Sequence, residues 1–139
     1  MPWKRVLLYG VIFITILATP FVLLSNPMMD VYQERIDKNP KTSFNRWLQL
    51  RMGGICYKTL RPERSAPAYR KFMENFPDDP EYNFVWMRYA QSLEDCHQNK
   101  EAEEQYILMM ETLEDRPELA EFRDEAKRGW LRTKYQKRK

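Results

Sequence analysis

The 139-residue chain predicts an all-α protein: an N-terminal transmembrane helix, then a short helical-repeat solenoid of about two and a half repeats closed by a C-terminal capping helix. Three observations predict it. Val6–Leu24 is a run of nineteen residues without a charge. Tyr32, Tyr69 and Tyr106 recur at a spacing of 37, with Ile36, Met73 and Met110 following each by four residues. In the remaining chain the apolar residues return every three to four positions, with no strand-like alternation.

The first element is the uncharged run. At 1.5 Å per residue, nineteen helical residues nearly match a hydrocarbon core of ~30 Å. Trp3 and Tyr9 suit an interfacial layer, and Pro20 falls near the far end, where a lost backbone donor is tolerated. Phe21–Asn26 offers no small-x-small cleavage site, so an uncleaved anchor is expected in preference to a signal peptide. Lys4 and Arg5 abut the run, whereas no basic residue lies between Ser25 and Glu34. That asymmetry predicts a single-pass protein of the bacterial inner membrane with its repeat domain in the periplasm; the alternative has the domain facing the cytosol. The domain reading is 1–25 for tail and anchor, 26–131 for the repeats and 132–139 for a basic tail.

The repeats come next. Tyr32 and Tyr69 are each followed eight residues later by Pro40 and Pro77, and the third copy delays its proline to Pro117. Start and stop signals divide the copies into helices at about 28–38, 43–59, 65–76, 80–96, 100–114 and 117–136. Thr42 or Ser43 can cap one first helix, and Asp79, followed by Pro80, another. Val85, Trp86, Tyr89, Ala90 and Leu93 form one apolar stripe that must be buried. A helix pair cannot bury such a stripe alone, so stacked copies and a polar-backed last helix carrying Phe122, Ala126 and Trp130 are expected.

The set Trp86, Tyr89-Ala90, Leu93, Ala102 and Tyr106 resembles the tetratricopeptide repeat family, whose pattern sets a Trp and a small residue on the first helix and an Ala and an aromatic on the second. The preceding copy departs from it at Gln49 and Ser65, and the period of 37 exceeds the family's roughly 34. With its anchor and its FPDDPE connector, the chain is most similar to membrane-anchored bacterial envelope members. The resemblance implies a groove lined by the first helix of each pair: Trp47, Leu50, Gly54, Tyr57 and Lys58, then Phe84, Met87, Gln91, Glu94 and Asp95. Leu50, Gly54, Met87 and Gln91 stand where carboxylate-clamping members carry basic and asparagine side chains, so an apolar helix or extended segment is the expected occupant. Packing of the same side chains into the protein's own core is the competing reading.

Other chemistry is thin. The single histidine, His97, adjoins Cys96, and neighbours on a helix point about 100° apart, a poor nucleophile and base arrangement. No catalytic residue, cofactor or metal site is expected. Cys56 and Cys96 differ by three in repeat register; a bridge between them in an oxidising compartment and two ordinary thiols in a reducing one are both open. Seven of the 23 basic residues fall in 127–139, which has no acid, so the other sixteen face 20 acids. The basic character is therefore a tail property, suited to anionic lipid, to an acidic partner, or to the negative end of its own helix; nucleic acid is not expected. These readings predict a membrane-anchored protein-interaction scaffold or adaptor in envelope protein assembly or chaperoning, with a fixed accessory subunit of a larger membrane complex as the alternative.

Overall fold

The computed structural model describes residues 2–23 and 25–136, which hold seven α-helices and no strand. They are α1 (Pro2–Leu23), α2 (Asn26–Lys38), α3 (Ser43–Lys58), α4 (Pro62–Asn75), α5 (Tyr82–Asp95), α6 (Asn99–Thr112) and α7 (Ala120–Gln136). A 3-10 turn, Pro117–Leu119, leads into α7. The chain forms two compact units, Met1–Asn39 and Pro40–Lys139.

In the first unit, α2 begins after Ser25 with Pro27 in its first turn, where the missing N–H has no helical partner to lose. Met29 and Ile36 are buried on one face, two turns apart. The membrane anchor is corrected here. Among the described residues no helix is long and apolar enough to cross a membrane. The expected span also drew on Leu24, which lies outside the described residues, and on Val6, Ile16, Leu17, Pro20 and Phe21, of which only the backbone is described. The single-pass topology, the inner-membrane location and the periplasmic or cytosolic facing of the domain fall with it.

In the second unit each helix packs on the next, from α3 through α7, and α5 also meets α7. The 37-residue period is visible in hydrogen bonds. α3 ends with Leu60 N–H donating to Tyr57 C=O and Arg61 N–H to Cys56 C=O; α5 ends with His97 N–H donating to Glu94 C=O and Gln98 N–H to Leu93 C=O. Each is a left-handed helix stop, with φ of 54° at Leu60 and 60° at His97. The two departures from the repeat pattern are compensated locally. Trp86 Nε1 donates to Gln105 Oε1 at 2.9 Å, and at the equivalent place Gln49 Nε2 donates to the Ala68 carbonyl at 3.0 Å. Gln49 thus keeps an N–H donor where the indole would put one. Ser65, standing for the second-helix alanine, donates to Ser92 Oγ at 2.7 Å, and Ser92 donates on to the Arg88 carbonyl. Both hydroxyls are buried and bonded, so neither carries the cost of an unpaired polar group.

The main core gathers Trp86, Ala90 and Leu93 of α5, Ala102, Tyr106 and Met109 of α6, and Ala126 of α7, with Phe122 and Trp130 packed against it. The starts of α2, α4, α5, α6 and α7 differ from expectation by one to three residues, and two of the shifts have a traceable cause. α4 begins at Pro62, three residues early, because Pro62 supplies the first-turn proline and Pro67 is carried inside the helix. α5 begins at Tyr82 because Asp79 is engaged elsewhere: its carboxylate accepts from Arg46 Nε and, at 2.6 Å, Arg46 Nη2, while Oδ1 also takes the Glu81 N–H. Thr42 caps α3 as expected, accepting from the Asn45 N–H.

Candidate functional site

α3 and α5 present side chains to a common hollow of about 430 Å³. On a helix turning 100° per residue, Trp47, Leu50, Gly54 and Lys58 fall along one face of α3, and Phe84 and Arg88 along one face of α5. Six of the expected groove residues, Trp47, Leu50, Gly54, Tyr57, Lys58 and Phe84, line it. Trp47 is 49% exposed and Phe84 43%, so the competing reading, that they fill the protein's own core, does not hold for these two.

The other expected residues go elsewhere. Met87 is 5% exposed and belongs to the core, because it sits about 60° around α5 from the line of Phe84. Gln91 does not line the hollow but bonds two residues that do, accepting from Tyr57 Oη at 3.3 Å and from Arg88 at 3.0 Å. Glu94 turns toward α6 and α7, accepting from Tyr106 Oη at 2.9 Å and from Arg132 at 3.0 and 3.2 Å. Asp95 lies by a second hollow with Cys96 and Glu63; burial, then Glu94, raises its carboxyl above the usual range.

Six lining residues, Arg46, Arg51, Ile55, Tyr69, Glu81 and Arg88, escaped the sequence reading, and three of them shape the groove. Tyr69 of α4, there a mark of the repeat, reaches the groove because its ring lies on the bare backbone of α3: a Cβ on Gly53 would sit 2.6 Å from it. Arg51 lies 5.8 Å over Trp47, and Arg88 lies 4.7 Å over Tyr57 and 5.2 Å over Phe84. Such stacking fixes a guanidinium at the wall without neutralising it. Arg46 also lines the hollow, but its charge is matched by Asp79, and that hydrogen bond holds it above the ordinary arginine value. Glu81 is the acid among the lining residues, so the cations of Arg51, Lys58 and Arg88 make the rim positive. The i, i+4 step from Phe84 to Arg88 was the available signal.

Cys56 is buried, Cys96 half-buried, and both are free thiols. Burial pushes each thiol above its ordinary value, which leaves little thiolate. His97 serves the turn after α5. Among the described residues no cluster of His, Cys, Asp or Glu is placed to hold a metal ion. The tail's cations are partly committed: Arg128 pairs with Glu125, Arg132 with Glu94, and Lys134 lies 4.5 Å over Trp130. Lys137, Arg138 and Lys139 lie outside the described residues.

No family model, curated protein or solved structure matches this chain.

Proposed function

We propose that this chain is a protein-interaction adaptor of the tetratricopeptide-like kind, holding a segment of a partner protein in the groove between α3 and α5. The observation that carries this reading is the pairing of half-exposed Trp47 and Phe84 with Arg51 and Arg88 around one concave surface. Tryptophan, tyrosine and arginine dominate the energetics of protein interfaces, because each combines large contact area with a directed polar group. The 37-residue period supports the likeness to the repeat family, as do the Gln49 and Ser65 compensations, since both departures keep the helix packing the pattern calls for.

The test is affinity purification of the full chain from its own cells, with quantitative mass spectrometry, beside Trp47→Ala and Phe84→Ala. Both side chains are exposed enough that their loss leaves the fold intact, which circular dichroism checks. At least one captured protein should fall by tenfold or more with both variants, a loss of about 1.4 kcal/mol. Capture of the same set at the same yield by all three proteins would remove the groove from consideration.

A further inference from the structure

Two tyrosines 37 residues apart meet different fates at their hydroxyls. Tyr106 and Tyr69 rise from second helices, α6 and α4; the Tyr69 ring lies on Gly53 of α3, the first helix of its pair, and the Tyr106 ring on Gly129 of the capping helix α7. Both are almost wholly buried. Tyr106 Oη donates to Glu94, and that carboxylate also binds Arg132: a tyrosine, a carboxylate and an arginine in one hydrogen-bonded set. Tyr69 lines the open groove, and among the described residues its hydroxyl makes no hydrogen bond. Burial pushes its phenol up to about 12, against a weaker downward pull from Arg88, so it stands as an O–H donor at neutral pH. Arg88 pairs with no carboxylate among the described residues; it rests on two aromatic rings and bonds the neutral Gln91. The groove therefore offers a donor and a cation at one place, with apolar surface on Trp47 and Phe84 beside them.

Resting on the adaptor reading, we infer that the groove recognises an acidic segment of a partner protein, an Asp or Glu carboxylate taking the hydrogen bond of Tyr69 and the charge of Arg88 while a neighbouring apolar side chain lies on Trp47 and Phe84. Three features argue for this occupant over a basic or neutral one. The rim is positive. A phenol O–H makes a stronger, charge-assisted hydrogen bond to a carboxylate than to a neutral acceptor. The same protein uses Glu94 for the corresponding hydroxyl 37 residues on.

The experiment selects binders for the full chain from a random-peptide phage library, makes the recovered peptide synthetically, and measures its affinity by fluorescence anisotropy. The expected peptides carry Asp or Glu next to Leu, Phe or Trp, and bind wild type but not Trp47→Ala. Replacing the peptide's acid by alanine should weaken binding about tenfold, as should Tyr69→Phe or Arg88→Gln, and the alanine peptide should be indifferent to Tyr69→Phe. Tyr69→Phe keeps the buried ring, and Arg88→Lys, which keeps the charge but not the stacked fork, provides a second reading. Trp47-dependent peptides without an acid, or with an acid indifferent to Tyr69 and Arg88, would overturn the inference and leave the adaptor reading standing. Recovery of no Trp47-dependent peptide would overturn both. Self-association abolished by Arg88→Gln would assign the groove to a second copy of this chain, and would also overturn it.

Discussion

Gly53 and Gly54 are neighbours with opposite requirements. A Cβ on Gly53 would meet the Tyr69 ring at 2.6 Å, whereas one on Gly54 would find the Tyr69 hydroxyl at 4.0 Å, an ordinary contact. Gly53→Ala is expected to destabilise the fold by about 1–3 kcal/mol through overpacking. Gly54→Ala is expected to stabilise it by up to about 1 kcal/mol through helix propensity. Urea midpoints of the two variants decide it; a shift of the same sign in both would contradict the placement of Tyr69. Asp79 supplies a second prediction. Its carboxyl is held below the ordinary aspartate value first by the hydrogen bond from Arg46, and its side chain is 6% exposed. A lowered folded pKa gives stability that is fully present above the unfolded value of about 3.9 and is lost as pH falls through the folded value. Asp79→Asn should therefore lower stability at neutral pH and flatten the acid limb of a melting-temperature profile. An unchanged acid limb would place the acid sensitivity elsewhere.

At the scale of the element, the helix stops are the clearest link from sequence to structure. Leu60 and His97 occupy equivalent places with left-handed backbone, and neither is glycine. Because a side chain at that φ costs about 1–2 kcal/mol, Leu60→Gly should raise stability by about 1 kcal/mol, offset in part by the freedom glycine gains when unfolded. Leu60 is 87% exposed, so little packing is lost with it. A denaturation midpoint that falls would show the leucine holding something beyond the turn. The period that located these stops was legible because tyrosine, methionine and proline all mark it. Helix starts were less so: the first turn of α4 needed the proline to be assigned to Pro62 and not to Pro67, and the start of α5 turned on a long-range partner, Arg46, that no local pattern announces.

For the whole molecule, α7 is the element that closes the stack. Phe122, Ala126 and Trp130, legible in sequence as an apolar stripe, pack on the core, and Gly129 admits the Tyr106 ring so closely that a Cβ there would lie 2.3 Å from it. A chain ending at Arg116 should lower the urea midpoint and bind a hydrophobic dye, having uncovered Tyr106, Met109 and Leu113; an unchanged midpoint would deny α7 its capping role. The groove was legible in outline, since the family resemblance implies a lining of first-helix positions that selects Trp47, Tyr57 and Phe84. Arg88 and Tyr69 were not, because a charged helical residue defaults to a solvated face and a period-marking tyrosine to the core, and only the close approach of α4 to Gly53 brings one to the other.

The set of Tyr106, Glu94 and Arg132 bears on how many partners one chain can hold. The seam between α5 and α7 is occupied from within by the protein's own acid and base, while the seam between α3 and α5 stays open. On the adaptor reading, a titration should therefore saturate at a single segment per chain, and tighter capture of a multi-site target has to come from bringing several chains together.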